Sequence, residues 1–217
     1  MKSLRLNSEI FSRQMKVYIL KHTQEEEGPI FYVTDGEKMI EYGAASLIDS
    51  LFKKKLIPRA KYIFLSSIDP QTRIDHRNEY FFCNENYLDF FEKELIPAIE
   101  GKSKQTPERY LVGVSFGGLN AAYFAAHTDK FQGYALLSPI SYPCEKLNQN
   151  LAFSQFSNYK VYLSTGKMDA ESYVESLYPM LRSKTENIKL VHTKGGHDFD
   201  NWNAQLGNII NFMLTKP

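Results

Sequence analysis

The stretch Arg109-Tyr110-Leu111-Val112-Gly113-Val114-Ser115-Phe116-Gly117-Gly118-Leu119-Asn120, running on through Ala121 to His127, decides the fold. The apolar run Tyr110 to Val114 reads as a buried strand, and the Ala-rich segment Leu119 to Ala126 as a helix packed closely on it. Between them lies Gly113-x-Ser115-x-Gly117, with Gly118 behind it. A serine in so tight a strand-to-helix turn needs small neighbours, because a Cβ at 113 or 117 would collide with the adjoining strand or helix. The turn lifts the Ser115 hydroxyl out of the sheet and aims the N–H of Phe116 and the helix N-terminus at the same spot. An exposed nucleophile beside a preorganised hydrogen-bond donor is what acyl transfer requires.

Outward from this turn, strands and helices alternate. Gln14 to Lys21 is apolar on both faces, as is Ile30 to Thr34, which ends at Asp35-Gly36. Ile40 to Lys54 carries Ile40, Ala44, Leu47, Ile48, Leu51 and Phe52 at helical spacing. Tyr62 to Leu65 is a further strand. Ser66 to Tyr80 has no periodicity and reads as a long loop of the functional or mobile kind. Tyr87 to Glu100 is a helix bent or loosened at Pro97. After the serine turn come strands at Tyr134 to Ser138, Val161 to Ser164 and Ile188 to Val191. Helices run over Tyr173 to Arg182 and along the stripe Trp202, Leu206, Ile209, Ile210, Met213. This alternation predicts an α/β fold: a doubly wound, mostly parallel sheet with helices on both faces. Ligands in such sheets sit at the carboxyl ends of the strands, where Asp35-Gly36, Ser115, Ser138-Pro139, Asp169 and His197 fall.

The chain of 217 residues suits a single domain, 1–217, with a sizeable core. Its 26 basic and 25 acidic residues leave a net charge of +1, which offers nothing to nucleic acid or to an anionic membrane surface. Two cysteines, Cys83 and Cys144, are too few for a disulfide framework and are expected reduced, as in the cytoplasm. No long apolar stretch follows Met1, so no signal peptide is expected, and no run approaches the ~20 residues of a membrane span. No phosphate loop, dinucleotide fingerprint or metal-ligand spacing appears, so no cofactor is expected. The composition sets no oligomeric state.

A nucleophilic serine needs a base and a group to orient it. Of five histidines, His127, His192 and His197 follow Ser115. His127 ends the helix of the serine turn and His192 ends the last strand. His197 lies in a loop after Gly195-Gly196, where glycines permit close approach to the serine. Asp169 follows a strand end and Gly166, where a triad acid hangs. It is also placed to cap a helix starting near Ala170. Glu171 is the next candidate, and with neither in reach a Ser–His dyad remains. The second oxyanion donor is expected from the N–H of Gly36 or Glu37, the first from Phe116. Arg77, in Arg77-x-Glu79-Tyr80, is either held in an ion pair bracing the long loop or meets an anionic substrate. Tyr42, Phe116, Tyr142 and Trp202 are candidates for the wall of an acyl pocket or for core packing.

With these residues in place the chain resembles the Putative esterase family of α/β-hydrolases, which includes esterase D, the mycolyl transferases and the enterochelin esterases. The resemblance runs nearly end to end. It rests on Ser8-Glu9-Ile10 to Tyr18, Tyr32-Val33-Thr34-Asp35-Gly36, Arg77-Asn78-Glu79-Tyr80 and Glu94-Leu95-Ile96-Pro97. It continues through Gly113-Val114-Ser115-Phe116-Gly117-Gly118, Ser138-Pro139 and Gly195-Gly196-His197-Asp198 with Trp202. The last of these looks closest to the siderophore-esterase branch. The resemblance implies an α/β-hydrolase fold and a serine carboxylesterase acting on a small-molecule ester through an acyl-enzyme, on siderophore-type or small acyl esters. It implies that Ser115 and His197 act, with Asp169 as the acid. The chain is shorter than the family pattern, and Ile140-Ser141-Tyr142 replaces the aromatic pair that often follows Ser-Pro. The alternatives are a thioesterase, such as an S-formylglutathione hydrolase-like activity, and a catalytically silent binding protein on the same fold.

Overall fold

The structure is a computed structural model and describes residues 1–22, 28–101, 106–140, 147–170 and 173–215. Its centre is an eight-stranded sheet in the order β1-β2-β4-β3-β5-β6-β7-β8. The strands are β1 (Lys2–Ser8), β2 (Arg13–Lys21), β3 (Ile30–Val33), β4 (Lys61–Leu65), β5 (Arg109–Val114), β6 (Gly133–Leu137), β7 (Lys160–Gly166) and β8 (Ile188–Thr193). β2 pairs antiparallel with both β1 and β4, and every pair from β4 to β8 is parallel. β2 alone therefore runs against the rest, and the parallel part is the expected doubly wound sheet.

The central strands are buried on both sides because their side chains alternate between two apolar layers. Tyr32, Leu111, Tyr134, Leu136, Val161 and Leu163 point into one core. Phe31, Val33, Tyr110, Val112, Val114, Ala135, Leu137 and Tyr162 point into the other. The first core is closed by α3 (Arg77–Phe81), α4 (Glu85–Asp89), a π-helical segment (Phe90–Leu95), α5 (Ile96–Glu100), α6 (Phe116–His127), α7 (Leu147–Phe153) and α8 (Val174–Arg182). The second is closed by α1 (Gly36–Glu41), α2 (Ala44–Lys53), α9 (Phe199–Asn203) and α10 (Leu206–Leu214). Tyr80, Phe81, Tyr87, Phe90, Phe91 and Phe124 form a continuous aromatic packing in the first layer.

Several elements differ from the periodicity reading. The helix expected over Ile40 to Lys54 is two helices, because Gly43 takes a left-handed turn (φ 90) between α1 and α2. The closing stripe is likewise split between α9 and α10. The helix expected at Tyr87 to Glu100 widens just ahead of Pro97. A proline has no N–H to give and its ring crowds the carbonyl four residues back, here Lys93. The region Ser66 to Tyr80 is pinned rather than loose: Asp69 accepts from the N–H groups of Gln71 (2.7 Å) and Thr72 (2.9 Å), and the Ser67 hydroxyl donates to Asp75 (2.8 Å). It ends in α3. Cys83 is disulfide-bonded, against the expectation of reduced thiols. Among the described residues no helix is long and apolar enough to cross a membrane.

Candidate active site

Ser115 joins β5 to α6 with φ 55 and ψ −118, a conformation that a non-glycine residue keeps only where its surroundings hold it. The neighbouring glycines explain how. A Cβ on Gly113 would run into the carbonyl of Gly117, and a Cβ on Gly117 into the hydroxyl of Thr34 at the end of β3. Ser115 N–H donates to the Leu137 carbonyl (2.8 Å), which ties the turn to β6, and Leu119 N–H to the Ser115 carbonyl (3.1 Å), which opens α6. The hydroxyl is left at the carboxyl edge of the sheet, over the N-terminal end of a helix of twelve residues.

His197 reaches this serine from the loop between β8 and α9. Its Nε2 lies 2.8 Å from Ser115 Oγ and its Nδ1 lies 3.0 Å from Asp169 Oδ1. The tautomer that satisfies both has the proton on Nδ1, donated to Asp169, and Nε2 accepting from the serine. The Asp169 side chain is fully buried, while that of His197 is 23% exposed. The two loops that carry them are stitched together. Met168 N–H donates to the Gly195 carbonyl (3.2 Å) and Lys167 N–H to the Thr193 carbonyl (2.9 Å). A Cβ on Gly166 would strike the Gly195 carbonyl. Asp198, next to the histidine, caps α9 by accepting from Asn201 N–H (2.8 Å), and Asn201 in turn donates to the Gly196 carbonyl (2.8 Å). Among the described residues, the helix that follows Asp169 is α8, which starts at Val174 with Tyr173 at its N-cap. Glu171, the reserve acid, lies outside the described residues.

The remaining candidates divide. Phe116 is the first residue of α6, so its N–H is one of the helix's unpaired donors. Gly36 and Glu37 open α1 in the same way, rather than lying in a plain turn. The Gly117–Thr34 contact brings the end of β3 against the first turn of α6. Arg77 does not pair with Glu79. Its Nε donates to Asp35 Oδ1 (2.5 Å) and its Nη2 to Asp35 Oδ2 (3.0 Å), and Glu79 is held instead by Arg13 and His76. Burial pushes the Asp35 carboxyl above its ordinary value, and the Arg77 charge and hydrogen bonds work against that. Trp202 is buried rather than on a pocket wall. Its Nε1–H donates to Ser138 (3.0 Å) and its ring stands edge-on to His197 at 5.0 Å. Tyr42 is exposed and stacks on Phe199 at 4.9 Å. Tyr142 lies outside the described residues. Two contacts had no signal in the sequence: the partnership of Asp35 with Arg77, and that of Trp202 with Ser138. The first joins residues 42 positions apart and the second residues 64 apart. Among the described residues, no three His, Cys, Asp or Glu side chains cluster closely enough to hold a metal ion.

Comparison with known proteins agrees with this architecture. The family described as "Putative esterase" matches residues 8–213, and the chain belongs to that family. The iron(III) enterobactin esterase of Escherichia coli O6:H1 is 27% identical over 215 residues, and that of Escherichia coli K12 is 26% identical over 217. Each match covers 90% of this chain and 52% of the relative, so the chain spans about half the length of these relatives. Among solved structures, the enterobactin esterase of Shigella flexneri superposes with a TM-score of 0.83 at 23% identity, over 98% of this chain and 58% of that one. The BES protein of Bacillus cereus superposes at 0.73 and 16% identity over 99% and 95%. The fold is that of the α/β-hydrolases.

Proposed function

We propose that this member of the Putative esterase family is a serine hydrolase of carboxylic esters, working as one α/β-hydrolase domain. The observation that carries the reading is the continuous relay from Ser115 Oγ through His197 to the buried Asp169, with links of 2.8 and 3.0 Å. Ser115 attacks the ester carbonyl while His197 Nε2 takes its proton. The buried Asp169 carboxylate holds the imidazole in the tautomer that accepts and stabilises the imidazolium that forms. The N–H of Phe116, with that of Gly36 or Glu37, receives the developing oxyanion. His197 then returns its proton to the leaving alcohol. Water repeats the sequence on the acyl-serine, releasing the acid and restoring Ser115.

Small esters of the siderophore type are the proposed substrates, because the curated relatives are iron(III) enterobactin esterases. Two experiments test the reading. A fluorophosphonate probe should label the chain at Ser115, and Ser115→Ala should abolish both labelling and hydrolysis of p-nitrophenyl esters while the protein still melts cooperatively. Substantial turnover in Ser115→Ala removes the serine from the mechanism. A panel of acyl esters, thioesters and cyclic tri-ester siderophores, free and iron-loaded, then ranks substrate classes by kcat/KM.

A further inference from the structure

An oxyanion hole needs two donors at a fixed spacing, and here they come from separate elements. The Phe116 N–H opens α6, and the N–H groups of Gly36 and Glu37 open α1. Asp35 directly precedes the α1 donors in a left-handed conformation (φ 53, ψ 29), uncommon for a residue with a side chain. It sits at the N-cap, where an aspartate normally accepts from the first amides, yet its side chain caps none of them. Both of its oxygens are taken by Arg77 instead, and the carboxylate is fully buried. The same carboxylate lies against the first turn of α6, since a Cβ on Gly117 would stand 3.3 Å from Asp35 Oδ2. The Arg77 guanidinium also lies over the Phe116 ring, 5.6 Å from its centroid, and 5.9 Å from that of Phe81. A single side chain from a third element, α3, thus touches the segments that supply both donors.

We propose that Arg77 is a positioning residue for the oxyanion hole: its planar fork fixes Asp35, and through Asp35 the α1 amides, at a set distance from the Phe116 N–H. The proposal rests on the serine-esterase reading. Keeping the carboxylate off the α1 amides is part of the effect, because an Asp35 side chain free to cap α1 would occupy the donors that the oxyanion needs. Arginine suits the task and lysine does not, since only a guanidinium engages both carboxylate oxygens while stacking on a ring. With two of its donors and its charge already engaged by Asp35, Arg77 is poorly placed to serve as the cation for an anionic substrate.

The test compares Arg77→Lys, Arg77→Gln, Asp35→Asn and the double variant Asp35→Asn/Arg77→Gln with the parent protein. The substrates are p-nitrophenyl butyrate and the anionic p-nitrophenyl hemisuccinate. We expect kcat to fall about 10²-fold, the scale of losing one oxyanion donor, with KM within about twofold on both esters and no rescue by lysine. Inhibition by a trifluoromethyl ketone, which forms the oxyanion, should weaken by the same factor. The double variant should lose no more than the worse single one, since the pair acts as a unit. It leaves no lone buried charge, so it gives the answer if a single variant fails to melt cooperatively. A rise in KM confined to the anionic ester would make Arg77 a substrate cation, and an unchanged kcat would make it a brace of the fold; either overturns the proposal. Stoichiometric fluorophosphonate labelling of the parent protein separates the two levels. Without it the serine-esterase reading fails, whereas with it and fully active Arg77 variants only the positioning role fails.

Discussion

Replacing Asp169 with asparagine isolates what the buried acid contributes. The side chain keeps its shape, so packing around the fully buried position is preserved. Two things change. The carboxylate charge that faces the imidazolium disappears, and the amide can offer an N–H to Nδ1, favouring the tautomer that cannot accept the serine proton. The charge term follows from the geometry. At the observed 3.0 Å separation and an effective dielectric of ~20, a full charge pair is worth roughly 5.5 kcal/mol, and sharing the imidazolium charge over two nitrogens brings this to about 4 kcal/mol. That corresponds to roughly 10³ in rate. The tautomer effect adds to it, and the same change in serine proteases costs about 10⁴ in turnover. We therefore expect kcat on a p-nitrophenyl ester to fall by at least about 10³, with KM little changed. Since asparagine keeps the shape and the capping capacity of aspartate, the melting temperature should stay within about 4 °C of the parent, the shift that ~1 kcal/mol produces in a domain of this size. Stopped-flow and steady-state ester hydrolysis, paired with a thermal melt, measure both. A variant that keeps more than about a tenth of its kcat would refute the argument and leave a Ser115–His197 dyad.

Three further outcomes are expected. Gly113→Ala puts a methyl group against the Gly117 carbonyl and the Gly118 nitrogen, which are backbone atoms that cannot swing aside; it should destabilise the chain by about 3 kcal/mol in urea melts and abolish turnover. Trp202→Phe keeps a ring beside His197 but removes the 3.0 Å hydrogen bond to the buried Ser138; stability should fall by about 1–3 kcal/mol in urea melts and kcat by roughly tenfold. Burial lowers the proton affinity of His22, which lies against Phe52 and Tyr62. As pH falls, the unfolded chain therefore takes up that proton before the folded one does, and stability is lost on acidification. His22→Gln should show a smaller drop in melting temperature between about pH 7 and pH 5 than the parent does.

The parts of this protein that the sequence determined by itself are those whose causes are local. Continuous apolar runs marked Ile30 to Thr34, Tyr110 to Val114 and Tyr134 to Ser138 as strands, within a residue of where they lie, because burial on both faces admits few polar residues. The serine turn was equally legible, since the clash that Gly113 avoids is with Gly117, four residues away. Weak or mixed local signals hid other elements. The edge strand Lys2–Ser8 alternates with charged and polar residues, the helix Leu147–Phe153 is short, and a single glycine decides between one helix and two at Gly43. Chain order and loop glycines nominated His197 and Asp169. The approach of His197 to Ser115 across 82 positions of sequence, and of Asp169 to His197 across 28, is a product of strand order, which brings the ends of β5, β7 and β8 to one edge. Tertiary structure alone decided that Arg77 engages Asp35 rather than its neighbour Glu79, and that Trp202 stands buried behind His197 rather than on a pocket wall. An arginine or a tryptophan has many admissible partners at the level of sequence. Which one it takes depends on where distant elements leave a buried carboxylate or hydroxyl that must be satisfied.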